Sequence, residues 1–239
     1  MVTEAAAPKE AAANAVDTEE ALKRSWEADA ELGWILTGGN SDTSSLNAKL
    51  SYAKTQNKTV YHMRYETIRT EENDIETANK YLAELGLKWS LTEKNYFFAT
   101  LLQEDDEFSQ FDYQTTVALG YGRPVIVTDQ YRLDLTIGPG YRYSKFNDVI
   151  DGEDSDGEGV LRLGAAFKAN LSKVAKFSQT LTVDAGENQT ISKSETALST
   201  KMAERLAMKV SLKVRHNSEP LPGDANTDRE TAMTLVYTW

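Results

Sequence analysis

The chain has 239 residues, no cysteine, and 37 acids against 26 lysines and arginines, a formal net charge of −11. So acidic a chain is a poor partner for nucleic acid, and without thiols it has neither a disulfide framework nor a thiolate metal site. A mean hydropathy of −0.51 with no long apolar run excludes a membrane-crossing helix, but not a membrane barrel, in which only alternate residues meet lipid.

Residues 1–25 are rich in Ala and Glu. Residues 17–24 place acids early and bases late, as a short helix prefers, but carry little apolar stripe. A flexible or weakly helical periplasmic extension is expected there, followed by one domain over 26–239. Residues 1–10 have neither a basic start nor an apolar run, so they do not form a signal peptide. A secreted barrel therefore requires this to be the mature chain.

From Trp26 onward the pattern has period two, as in strands whose alternate residues face opposite sides. Trp26, Ala28, Ala30, Leu32 and Trp34 alternate with Glu27, Asp29, Glu31 and Gly33. The second strand sets Leu46, Ala48, Leu50 and Tyr52 against Ser45, Asn47, Lys49 and Ser51. The third sets Tyr61, Met63 and Tyr65 against His62, Arg64 and Glu66, and the fourth Tyr81, Leu85, Leu87 and Trp89 against Lys80, Glu84 and Lys88. The fifth opens on Tyr96-Phe97-Phe98 and runs to an acid cluster at residues 104–107. The sixth carries Tyr113, Val117, Leu119 and Tyr121, and the seventh Tyr131, Leu133, Leu135, Ile137 and Tyr141. A β-bulge is expected at Gly138-Pro139-Gly140, where proline removes a ladder bond. Four more strands follow, centred near Leu163, Leu181, Leu198 and Val210. In the last, Met233, Leu235, Tyr237 and Trp239 form a bulky apolar row that ends the chain on an aromatic.

Two features exceed alternation. Tyr52 and Tyr61, Trp89 and Phe97, Tyr121 and Tyr131, and Phe167 and Phe177 flank successive short turns, which makes an aromatic girdle at one end. Trp34, Tyr65, Tyr81, Tyr113 and Tyr141 make a second girdle at the other. At that second end, long acidic connections are expected at residues 148–158 and 216–228. The pattern predicts an all-β, antiparallel, up-and-down transmembrane β-barrel of about twelve strands in the bacterial outer membrane, with both termini on one side. The row Met233, Leu235, Tyr237 and Trp239 is then the C-terminal signal read by the barrel-assembly machinery.

The sequence resembles the salt-induced outer-membrane proteins, a Gram-negative family catalogued as a domain of unknown function. The resemblance runs from about residue 26 to the end. It is carried by Trp26 with its alternating acids, Thr37-Gly38-Gly39-Asn40-Ser41-Asp42-Thr43, Tyr96-Phe97-Phe98, Gly138-Pro139-Gly140-Tyr141-Arg142, Pro220-Leu221-Pro222-Gly223 and Val236-Tyr237-Thr238-Trp239. It implies an outer-membrane location and a link to salt or osmotic conditions, and it transfers no catalytic residue.

The polar faces assemble a charged lumen. Eight acids fall there, Glu27, Asp29, Glu31, Glu66, Glu84, Asp134, Asp184 and Glu195. Twelve bases join them: Lys49, Arg64, Lys80, Lys88, Arg132, Arg142, Arg162, Lys168, Lys201, Lys209, Lys213 and Arg215. Arg132, Arg142, Arg162, Lys213 and Arg215 are expected to face Glu27, Asp29, Glu31, Glu66 and Glu84 across the closure. The excess of base predicts a weakly anion-preferring lumen, with the net negative charge in loops and extension. The result is a narrow channel or passive envelope component; the alternative is a sealed scaffold that binds cations or a partner through acidic outer loops. His216-Asn217-Ser218 invites a hydrolase reading, but sequence neighbours at a strand end do not form a triad, and His62 falls at the opposite rim. The acidic residues 151–158 fail EF-hand spacing, since Gly152 stands where a ligand is needed. No catalytic residue, cofactor or specific metal site is therefore expected. The expected partners are outer-membrane lipid and lipopolysaccharide, with divalent cations bridging acidic loops to its phosphates.

Overall fold

Alternating residues organise the chain into twelve strands: β1 (Trp26–Thr37), β2 (Thr43–Gln56), β3 (Thr59–Glu72), β4 (Ile75–Thr92), β5 (Asn95–Asp106), β6 (Phe111–Val127), β7 (Tyr131–Ile150), β8 (Glu153–Asn170), β9 (Ala175–Gly186), β10 (Thr190–Lys201), β11 (Leu206–Asn217) and β12 (Thr227–Thr238). The computed structural model describes residues 26–37, 43–73, 75–92, 94–107, 111–150, 153–220 and 225–239. The expected extension at 1–25, the tip at 38–42 and the segment 221–224 lie outside these. Each strand pairs antiparallel with its chain neighbour, and β12 returns to β1, so the sheet is a closed up-and-down barrel. Closure satisfies backbone groups within the sheet, as hydrocarbon demands. Among the described residues no helix is long and apolar enough to cross a membrane.

Burial is inverted relative to a water-soluble domain. Leu32, Leu50, Leu85, Leu119, Ile137 and Leu235 point outward and are exposed, whereas the largest fully buried side chain is Arg142. The ladder fixes this. A one-residue slip in any strand would exchange its lipid face for its lumen face, and the registers carry one inward set, such as Glu31, Lys49, Glu66, around the wall.

Ring contacts follow the short-turn end of the wall. Trp26 stacks on Tyr52 (centroids 6.4 Å apart), Phe97 lies between Trp89 and Tyr121 (6.5 and 6.3 Å), and Phe167 between Tyr131 and Phe177 (6.2 and 6.3 Å). Tyr237 and Trp239 meet edge to face at 4.9 Å. Near the other end Tyr113 packs on Tyr143 and Phe111 on Phe146. Asn57, in the two-residue turn between β2 and β3, has φ 55°, the left-handed conformation that tight hairpin turns require.

Two expectations fail. Gly138-Pro139-Gly140 makes no bulge: β6–β7 keeps one register from Ala118↔Gly140 to Tyr121↔Ile137, and β7–β8 is continuous there. The register shifts instead beside Pro124, between Pro124 and Ile126. Proline at 139 is tolerated because the backbones of Gly120 and Gly138 pack against each other opposite it; an added Cβ on either would strike the neighbouring backbone. The acidic stretch 148–158 is also not a long loop. β7 runs to Ile150 and β8 starts at Glu153, so most of these acids belong to a tall hairpin. Strand alternation therefore aims Asp156 and Glu158 inward, opposite Ser144 and Arg142.

The closure is the weakest seam. β1 and β12 share four register pairs, from Asp29↔Thr238 to Leu32↔Leu235, while β1 and β2 share twelve.

Candidate functional site

The site is the inner wall. Its charges pair by ladder position, because residues directly opposite on one face sit within reach of each other. Arg162 and Asp184 are register partners on β8 and β9, joined by two hydrogen bonds of 2.6 and 2.7 Å, and Arg162 also donates to Thr100 Oγ1 at 3.0 Å. Arg142 and Glu158 are partners on β7 and β8, both buried, and Arg142 also donates to the Gln189 carbonyl at 2.9 Å. Glu84 receives its partner Arg64 at 2.5 Å and lies 3.1 Å from His62 Nε2. Lys213 pairs with Glu66 and lies 3.5 Å from its register partner Glu230.

Of the sequence-derived set, Lys213–Glu66 alone matches an expected pairing. Arg132 binds Asp134 at 2.7 Å on its own strand. Asp29 accepts a bond from Thr238 Oγ1 at 2.5 Å, and Glu31 binds Lys49 and Lys209 at 3.5 and 3.1 Å. Glu27 sits exposed at the short-turn rim opposite Ala53. The predicted pairing across the closure otherwise fails, because Arg142 and Arg162 meet an acid one strand away and Arg132 one on its own strand.

The expected excess of base also fails. Among the described residues the registers add seven acids to the inner face, Glu72, Glu104, Asp106, Asp156, Glu158, Asp228 and Glu230, and only two bases, Lys176 and Lys193. Acids and bases are then nearly equal in number along the described wall. Glu104 and Asp106 look like part of a turn in the sequence, and the inward Leu102 disguises the parity that would have placed them. Beyond the upper girdle, a hydrogen bond from Lys145 holds the Asp154 carboxyl below its usual range and raises the lysine.

Arg215, like Arg132 opposite Lys168, faces a base on one side; on the other its register partner is Asp228. Its register partner on β10 is Lys193, a like charge, which is unfavourable at directly opposed positions. Both reach instead across the lumen. Lys193 bonds Glu104 on β5, and Arg215 donates to Gln114 Oε1 on β6 at 2.6 Å and lies 3.7 Å from Glu104. Twelve strands ~4.8 Å apart and tilted ~40° would enclose a round barrel about 24 Å across. Extended Lys and Glu side chains with one hydrogen bond span only about 14 Å. The wall at β5–β6 therefore approaches that at β10–β11, and the section is oval with side chains meeting across its short axis. Glu104 and Arg215 line two cavities. One, of about 260 Å³, is a vestibule towards the β11–β12 connection, with Lys80, Asp106, Asn217 and Asp228. The other, of about 490 Å³, is a chamber lined by Arg64, Glu66, Glu84, Arg162, Asp184 and Lys213. Lower in the barrel Tyr96 and Phe98 lie flat on the wall over Gly122 and Gly120, with Lys88 Nζ 5.4 Å from the Tyr96 ring centre.

His62 and His216 do not share a site; His216 Nδ1 lies 2.8 Å from Thr227 Oγ1. Met233, Leu235, Tyr237 and Trp239 project outward beside the seam, and the Trp239 amide donates to the Ala28 carbonyl at 3.1 Å.

The model of the family described as "Protein of unknown function, DUF481" matches residues 30–239. The chain belongs to the DUF481 family. It is 28% identical over 224 residues to the uncharacterized protein YdiY of Escherichia coli strain K12, covering 93% of this chain and 86% of that one. In fold this DUF481 barrel is similar to the NanC porin (TM-score 0.56, 12% identity, 88% of this chain and 98% of that one). It is also similar to an outer-membrane channel from Pseudomonas putida F1 (TM-score 0.51, 11% identity, 89% and 94%) and to the KdgM porin (TM-score 0.50, 10% identity, 89% and 99%). The DUF481 chain thus has the barrel architecture of outer-membrane porins and channels.

Proposed function

We propose that this barrel resides in the outer membrane of a Gram-negative bacterium, with its short turns in the periplasm, and acts as a narrow channel whose lumen is lined by paired charges. The observation that carries the reading is the chamber of about 490 Å³ walled by Arg64, Glu84, Arg162 and Asp184. Small barrels that serve only as anchors fill their interior with side chains, whereas a polar, charge-lined space suits the passage of hydrated solutes. The test is a planar bilayer carrying the purified protein. Discrete current steps in KCl support the channel; a silent membrane from correctly folded protein refutes it.

A second reading is a sealed barrel that serves as a scaffold and binds cations or a partner at its acidic outer end. The Lys193–Glu104 contact across the lumen favours it. The resemblance to salt-induced proteins supports a role under osmotic or ionic stress, tested by growth of a deletion strain in graded NaCl. Met233, Leu235, Tyr237 and Trp239 are the residues proposed to engage the assembly machinery. Lipid and lipopolysaccharide are the proposed surroundings of the apolar belt.

A further inference from the structure

We infer that the Lys193–Glu104 contact, with Arg215 and Gln114, is an exchange site for small zwitterionic solutes, those carrying one carboxylate and one cationic nitrogen. The inference rests on the channel reading and names the solute class for that lumen.

The contact resolves a local conflict of charge. Lys193 and Arg215 face each other on adjacent strands, as Arg132 and Lys168 do on β7 and β8, and the register partner of Arg215 on its other side is Asp228. Arg64 stands opposite Glu84 and Arg162 opposite Asp184, and Arg132 binds Asp134 on its own strand. Here the acid comes from the far wall, as Glu104 on β5. Two opposed bases that take an acid from across the lumen, where Arg132 takes one from its own strand, mark a place where function overrides local stability.

The position is equally specific. Glu104 and Arg215 line both the vestibule and the chamber, so a solute moving between them passes this contact. To pass, it must part Lys193 from Glu104, whose side chains are 26% and 17% exposed. Charges so withdrawn from water need a partner at each moment. An anion taken by Lys193 and Arg215 leaves Glu104 uncompensated. A cation taken by Glu104 leaves the two bases repelling each other. A neutral sugar compensates neither. A zwitterion compensates both at once: its carboxylate accepts from Lys193 and Arg215, and its cationic nitrogen faces Glu104. The chain of alternating charges is then longer than the direct ion pair, so the walls are held apart while the solute is bound. The nearly equal numbers of acid and base along the remaining described wall offer the same paired environment before and after the contact.

The test compares osmotic swelling of liposomes containing the full chain. Glycine should enter several-fold faster than a neutral solute of similar size, and faster than sodium acetate. The double variant K193Q/E104Q removes both charges while keeping side-chain shape. It should abolish the preference and raise entry of the neutral solute; heat-modifiable gel migration verifies that it folds. Equal rates for glycine and the neutral solute in the native protein, or a preference retained in the variant, overturn the inference. A second measurement does not depend on transport: saturation-transfer NMR on the barrel in detergent should transfer signal to glycine protons in the native protein and not in the variant. Transfer without swelling by any solute would defeat the channel reading and uphold the site; swelling without preference or transfer would do the reverse.

Discussion

Lys209 on β11 reaches past β12 to Glu31 on β1, with Nζ 3.1 Å from Oε2 and 3.0 Å from Glu195 Oε1 on β10. Lys49 on β2 lies 3.5 Å from the same Glu31. A chain of alternating charge thus spans the closure from inside, where the β1–β12 ladder has only four pairs. Both side chains are mostly buried, so removing one partner leaves the others undercompensated. Glu31→Gln should destabilise the barrel by about 1–3 kcal/mol, read from urea unfolding in detergent by tryptophan fluorescence. The same change at the exposed rim residue Glu27 should have little effect.

The seam can also be locked. Leu32 and Leu235 are register partners on the outer face, at a separation that antiparallel partners share with disulfides. The chain has no cysteine, so Leu32→Cys with Leu235→Cys offers one pairing. The oxidised variant should form the bridge and raise the unfolding temperature relative to its reduced form. Failure to oxidise in the folded state would mean that the two strands are not adjacent there.

Trp239 closes the lower end of the same seam through the hydrogen bond its backbone N–H donates to the Ala28 carbonyl and its contact with Tyr237. Deleting it removes one backbone bond, worth about 1 kcal/mol, and the final aromatic of the apolar row. Refolding into detergent should stay close to normal while the amount reaching the outer membrane falls sharply. Normal surface levels would remove Met233, Leu235, Tyr237 and Trp239 as the assembly signal.

Arg142 and Glu158 form the most deeply buried ion pair among the described residues, 2% and 5% exposed. Arg142→Met strands a carboxylate and should cost about 3–5 kcal/mol, whereas replacing both members with apolar residues of similar volume should cost much less. Unfolding midpoints of the single and double variants measure the difference.

Tyr96 lies over Gly122, where a Cβ would collide with its ring. Gly122→Ala should push the ring off the wall into the lumen. Single-channel conductance should fall, and Gly122→Ala combined with Tyr96→Ala should restore or exceed the native value. An unchanged current in the single variant would show that Tyr96 does not border the permeation path.

The fold was legible because lipid imposes a period-two pattern that few other environments produce. Strand number, faces and girdles follow from rows such as Leu206, Met208, Val210, Leu212. What alternation could not supply was register between strands, and the lumen depends on it. Arg162 finds Asp184 rather than an acid across the closure because the ladder already sets the two side by side. Glu104 was hidden because acids at a strand end look like a turn, and because Leu102 puts an apolar residue on the inner face. Pro139 makes no bulge beside the close backbone approach of Gly120 on β6 and Gly138 on β7, a relation between two strands outside any local window.

The central claim is a narrow lumen in which opposite charges are paired and balanced. It is tested most directly by the reversal potential of the purified barrel in a planar bilayer under a tenfold KCl gradient. A small conductance with a reversal potential near zero is expected, because neither sign of charge dominates the wall. Replacing Arg162 with Gln should shift that potential towards cation preference by exposing Asp184. A strongly anion-selective potential in the native protein, or no current from folded barrels, would contradict the account.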